Sequence, residues 1–286
     1  MMSGISRRRL ALTAAAAPLL LLATREPGRA EAQGTGLYEK LRKAGSIRIG
    51  ITETSPPWTL LGEDNKPAGY DVAVAREMAK RIGISHVVFV ADSFKNFIEG
   101  LKTGKYDLVL NDLTPTRPRE EQVDFATPYG VEDFRVFVRA DNKTIKSAAD
   151  LVGKKVGVTI GTTNESWARA HLKGAVIEGY ENGSFIFQDI ALGRIDATII
   201  SHFGGLKYAR ADHLPVKEVG PPLSYQLSAP ALAKGHPALK AAVDKAISSM
   251  RADGTIDRIA AKWVGTSYVM SKAITEAEHE AARAGQ

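Results

Sequence analysis

Arg119 and Thr114 stand in "LNDLTPTRPREEQVDFATPY", residues 110–129. A strand-like run, residues 107–111, stops there and a helix is expected to begin near Thr116. Thr116 suits an N-cap, Pro118 a first turn, and Glu120 and Glu121 complement the helix dipole. Arg119 breaks this pattern, because a cation at a helix N-terminus faces partial charge of its own sign. Beside the Thr114 hydroxyl, a planar guanidinium is a fork for a carboxylate. The alternative is an arginine that reaches into solvent or pairs with Glu120. Gly161-Thr162-Thr163 repeats the design: strand end, hydroxyl-bearing turn, helix N-terminus with free N–H groups.

Other chemistries find less support. The six histidines are scattered without metal-ligand spacing, and there is no cysteine for disulfide or thiol chemistry. "LVGKKVG" lacks the pattern of a phosphate loop, and Ser201-His202 has no nucleophile elbow around it. No cofactor or metal is therefore expected.

Short apolar strands alternating with helical periods must position these turns. "GYDVAVAREMAKRIG" puts Val72, Ala75, Met78, Ala79 and Ile82 on one helical face, with Gly83 as a stop. Flanked by "SIRIGI", "HVVFV" and "YDLVLN", it gives a β-α-β-α-β order and a parallel sheet. A second βα run starts at "VGVTI", which suggests two similar lobes, with "FRVFVRA", residues 134–140, as a crossing segment. Ligands of such sheets bind beyond the carboxyl ends of the strands. Those ends carry Glu53, Ser55 and Trp58; Asn111 and Asp112; Gly161, Thr163 and Asn164; and Ser201. Trp58 is divided between a ligand-facing and a core role, whereas Trp167 and Trp263 at helical spacing are expected in the core.

The N-terminus reads as an export signal. "SGISRRRL" supplies a basic region with Arg7-Arg8 as a twin-arginine pair; an apolar run and the A-x-A site Ala30-Glu31-Ala32 follow. Its five arginines and two glutamates account for much of the formal charge of +6, leaving about +3 on residues 33–286. Cations and acids are interspersed there, so nucleic acid is not an expected partner.

The chain resembles the family-3 periplasmic solute-binding proteins, which include the polar amino-acid receptors of ABC transporters. The resemblance covers nearly all of residues 46–265. It rests on "PAGYDVAVAREMAKRIG", "LKTGKYDLVL", "LTPTRPREEQVDFATPY", "DLVGKKVGVTIGTTNE", "LGRIDATI" and "ADGTIDRIAAKWVG". It implies a type II periplasmic-binding-protein fold, two α/β lobes joined by two crossing strands. The first lobe would hold residues 33–134 and 229–265 and the second residues 135–228, with residues 266–286 a helical extension. It implies a monomeric periplasmic protein that closes on a small carboxylate ligand and docks to an inner-membrane ABC permease. Arg119 and Thr114 would hold the ligand α-carboxylate, Thr163 would close over it from lobe two, and Phe94 would pack on the ligand side chain.

Three departures bear on the ligand. The family usually has an aspartate for the α-ammonium where this chain has Ser201, and often a small residue where it has Asp112. The ammonium-binding carboxylate is thus expected to have moved to Asp112, unless the ligand lacks an α-ammonium. Ser55 replaces a stacking aromatic, for which Trp58 or Phe94 is expected to compensate, and Glu53 is a candidate side-chain reader. Two other functions use the same fold. Cyclohexadienyl dehydratase is an enzyme with a glutamate general acid just beyond the "GRIDA" strand, where "SHFGGLKY" has no carboxylate. A sensor reporting ligand to a membrane partner is the other.

Overall fold

The computed structural model describes residues 31–211, 213–266 and 268–284. The expected export signal lies outside these residues except for Glu31 and Ala32. The chain opens with α1 (Glu31–Ala44), β1 (Ser46–Ile51), three short strands β2 (Thr54–Ser55), β3 (Thr59–Leu61) and β4 (Pro67–Ala68), and α2 (Tyr70–Arg81). Then come β5 (His86–Ala91), α3 (Phe97–Lys102), β6 (Leu108–Val109), α4 (Arg117–Glu120) and β7 (Val123–Phe125). Strand β1 runs parallel between β5 and β6, and its Ile47, Ile49 and Ile51 are buried. The expected face of α2, from Val72 to Ile82, packs into the same core.

The long strand β8 (Gly130–Arg139) leads into β9 (Lys155–Thr159), α5 (Thr163–His171), β10 (Val176–Tyr180), α6 (Gly183–Ala191), β11 (Ala197–Ser201), α7 (His202–Ala211) and β12 (Val216–Val219). These strands form a second sheet in the order β10-β9-β11-β8-β12. The chain returns through β13 (Tyr225–Ser228) to β14 (Ala231–Ala233), which pairs with β6 and β7 of the first sheet. Residues 130–133 of β8 pair antiparallel with β13, while residues 134–138 pair with β11 and residues 136–139 with β12. The crossing therefore begins at Gly130, four residues before the segment expected from "FRVFVRA", which belongs to the second sheet.

Helices α8 (Pro237–Ala252) and α9 (Thr255–Trp263) flank Gly254, whose φ of 75° suits a residue without Cβ. The tail helix α10 (Met270–Ala284) does more than extend the chain. Met270 and Ile274 are fully buried in the first-lobe core, Arg251 pairs with Glu278 at 2.8 Å, and the Ser271 hydroxyl donates to Asp257 at 2.6 Å. Two local expectations also change. The strand over residues 107–111 is only Leu108–Val109, and the turn after β1 forms a small β2-β3-β4 sheet.

Candidate functional site

The strand-end turns meet in a cleft between the two sheets that encloses about 710 Å³, part of it open to solvent. Among the sequence-expected residues, Ser55, Trp58, Phe94, Asn111, Asp112, Thr114, Thr163, Asn164 and Ser201 line it; Glu53, Arg119 and Gly161 do not. The lobes touch across it. Lys95 pairs with Glu181 at 2.6 Å, and the Tyr208 hydroxyl of α7 donates to the Thr54 carbonyl.

Arg119 also bridges the lobes. Its helix is a single turn, Arg117–Glu120, and Thr116 makes no side-chain cap bond. The guanidinium therefore meets little of the opposing field that a long helix would present. It donates to the Thr114 carbonyl at 2.7 Å and to the Gly161 carbonyl of the other lobe at 2.9 Å, and lies 5.6 Å from the Phe94 ring centroid. Two of its five N–H groups are engaged, so three remain for an anion. Burial lowers its pKa to about 10, which leaves it charged at neutral pH. Gly161 has φ of 81°, and a Cβ there would meet the Lys95 Cα at 2.9 Å, so glycine lets the lobes approach.

On the second lobe, Thr162 rather than Thr163 caps α5, accepting from the Glu165 N–H at 3.2 Å. Thr163 is the first residue of that helix and faces the cleft. The Asn164 amide donates to the Ile199 carbonyl at 3.3 Å, fastening α5 to β11. The Thr114 hydroxyl donates to Gln226 at 3.0 Å.

The carboxyl groups lie where β8 and β13 cross. Asp112 holds φ of 48°, unusual for a residue with a Cβ. Its N–H donates to the Tyr129 hydroxyl at 3.2 Å, and its carboxyl accepts from the Ser228 hydroxyl. Next to it stands Glu132 of β8, a cleft residue absent from the sequence-based set. Glu132 is 2% exposed, and its Oε2 has no hydrogen-bond partner among the described residues. Burial, and then the neighbouring Asp112, push its pKa well up; burial also raises Asp112. Beneath them Asp71 is fully buried, and burial raises it too. Ser201, at the expected aspartate position, is 5% exposed and accepts from the Gly204 N–H at 3.2 Å. A hydroxyl there offers no negative charge to an ammonium.

Trp58 packs edge-on against Tyr70 and Phe203 and is 2% exposed, so core packing takes most of the ring. Glu53 adopts φ of 62° and leaves the cleft wall to Thr52, Thr54 and Ser55. Asn111 accepts from the Thr52 N–H at 2.7 Å and the Thr59 hydroxyl at 2.8 Å. Its Nδ2 is buried without a partner among the described residues. His202 pairs with Glu218, which also meets Arg135 at 3.2 Å. No cluster of metal-ligating side chains occurs among the described residues.

The model of the bacterial extracellular solute-binding proteins, family 3, matches residues 47–266. The L-cystine-binding protein TcyJ of Escherichia coli (strain K12) is 33% identical over 231 residues, covering 80% of this chain and 86% of that protein. An ancestral arginine-binding protein, solved with glutamine bound, superposes with a TM-score of 0.74 at 36% identity, over 77% of this chain and 98% of the other. An ancestral amino-acid-binding protein, precursor of cyclohexadienyl dehydratase, also has a TM-score of 0.74, at 32% identity, over 79% of this chain and 99% of the other. The two sheets and crossing strands are a type II periplasmic-binding-protein fold, and the chain belongs to family 3 of the bacterial extracellular solute-binding proteins.

Proposed function

We propose that the protein is the periplasmic binding component of an ABC transporter and captures an amino acid between its lobes. The observation that carries this reading is the charge arrangement of the cleft: two carboxyl groups and a helix N-terminus line one space, and the Arg119 guanidinium bridges the lobes beside Thr114 and Phe94 of its wall. That set is complementary to a zwitterion. Arg119, Thr114 and Thr163 take the α-carboxylate, Arg119 through its remaining N–H groups, and Asp112 takes the α-ammonium that Ser201 does not serve. Thr52, Thr54 and Ser55 meet the side chain, with Phe94 and the edge of Trp58 beside it. Relatives named for binding cystine, histidine and arginine support an amino-acid ligand.

In this reading residues 33–134 and 229–265 form lobe one, to which α10 belongs by packing, and residues 135–228 form lobe two. The protein acts as a monomer, is exported by the twin-arginine route, and presents its closed form to an inner-membrane permease. No helix among the described residues is long and apolar enough to cross a membrane. Its task is binding and release without catalysis.

Asp112→Asn tests the central assignment. An ammonium left without its carboxylate costs about 1–3 kcal/mol, so L-amino-acid affinity measured by calorimetry should fall by about fivefold to 150-fold. Unchanged affinity would remove Asp112 from the site.

A further inference from the structure

We propose that Glu132 contacts the ligand: Glu132 and Asp112 form one seat for a cationic ammonium, share a single proton in the ligand-free protein, and release that proton when the ammonium enters. The inference rests on the amino-acid reading of the cleft and goes beyond it in naming a second carboxyl and a proton exchange.

The geometry leads there first. Glu132 sits opposite Gln226 in the β8-β13 pairing, so the element facing it offers a neutral amide. Glu132 lines the same cleft as Asp112 and Ser201, and its buried Oε2 has no hydrogen-bond partner among the described residues. Ionised carboxylates only accept hydrogen bonds, so a carboxyl–carboxyl contact needs a proton between the two groups. Ser228 donates to one oxygen of Asp112 and Glu132 Oε2 is unpartnered among the described residues, which leaves each carboxyl an oxygen for the other.

The surrounding charges favour retention of that proton. Asp133 beside Glu132 adds negative charge, although it is paired with Arg135, whereas the fully buried Asp71 is itself raised by burial and offers no cation. Tyr70 and Tyr129 near Asp112, and Tyr208 and Tyr268 near Glu132, are raised by burial and stay neutral. Arg119 is the cation that acts on Asp112, whereas Glu132 makes no ion pair among the described residues and feels chiefly burial and neighbouring acids. Two buried like charges in contact cannot both ionise without a compensating cation.

An ammonium supplies both the positive charge and the N–H donors that the shared proton had provided. The balance is one cation in and one proton out to solvent. The seat passes from one negative charge to two, and the ammonium restores the total to one. Because binding expels a proton, affinity rises with pH, by up to about tenfold per unit, until the pair ionises without ligand.

The test has two arms. In the first, the carboxyl carbons of 13C-glutamate-labelled, ligand-free protein are titrated by NMR, with Glu132→Gln assigning the Glu132 signal. The expected result is a carboxyl still protonated at pH 7; a signal that ionises below about pH 5, in the ordinary glutamate range, overturns the inference. In the second, L-glutamine and L-arginine are titrated calorimetrically at pH 7 in buffers of different ionisation enthalpy. About one proton should be released per molecule bound by the wild type, and none by Glu132→Gln or by Asp112→Asn, which also breaks the pair. Binding without proton release by the wild type overturns the exchange and leaves the amino-acid reading intact. Failure of every L-amino acid to bind overturns that reading instead.

Discussion

The guanidinium of Arg119 donates to the carbonyl oxygen of Gly161 at 2.9 Å, joining residues 42 positions apart on opposite lobes. One arginine thus belongs both to the expected carboxylate clamp and to the closure. In the proposed function, ligand and closure are coupled through it, because the α-carboxylate and the Gly161 carbonyl would use N–H groups of the same planar fork.

Arg119→Lys separates charge from geometry. A lysine keeps the cation but cannot reach the Thr114 carbonyl, the Gly161 carbonyl and a carboxylate as one rigid fork. L-amino-acid affinity measured by calorimetry should drop about tenfold or more, a loss of about 1.4 kcal/mol or above. Retained affinity would reduce Arg119 to a positive charge near the cleft.

Stability should fall as pH rises through neutrality. Asp71, and the Asp112–Glu132 pair with its one shared proton, stay protonated to higher pH when folded, because burial raises these groups. Above about pH 4, the ordinary carboxylate range, the unfolded chain has lost protons that the native state keeps, so each group lowers the unfolding free energy with pH. The slope is at most about 1.4 kcal/mol per pH unit per group and ends where the folded group ionises. Urea unfolding of ligand-free protein between pH 5 and 8 should show this decline, and Glu132→Gln should make it shallower. An identical slope in the variant would place Glu132 in its ionised form.

Ile274→Ala tests the tail. Ile274 of α10 is fully buried in the first-lobe core, so removing its side-chain carbons should cost about 2–5 kcal/mol in urea unfolding. A change near zero would make α10 an appendage.

The elements that carry the site were legible because local rules and packing agree. The α2 face follows helical period, Gly254 marks the α8-α9 break, and hydroxyl-rich turns end β1, β9 and β11. The exact partners were less legible, because they depend on contacts between residues far apart in sequence. The reach of Arg119 to Gly161 spans the cleft, and most of the Trp58 ring packs on Tyr70 and Phe203, leaving only its edge at the cleft. Glu53 was drawn away by its positive φ.

Glu132 left a signal that the strand-end reading passed over. "GVEDFRVFV" places two adjacent acids in an otherwise largely apolar strand, and alternation sends them to opposite faces. Asp133 turns to Arg135, whereas Glu132 faces the cleft. A buried acid in a crossing strand costs stability unless a partner or a proton satisfies it, so it marks a functional position.

A thermal-shift screen of residues 33–286, unfolded and refolded to strip bound ligand, tests the central claim most directly. The panel pairs L-amino acids with their α-keto and α-hydroxy analogues and includes prephenate and arogenate. Ligand in large excess over its dissociation constant adds a few kcal/mol of stability, about 2.7 kcal/mol at a hundredfold excess. The account predicts a shift with one or more L-amino acids and none with their ammonium-free analogues. Stabilisation by the keto or hydroxy acids alone would contradict the ammonium seat, and turnover of prephenate or arogenate would contradict a pure binding role.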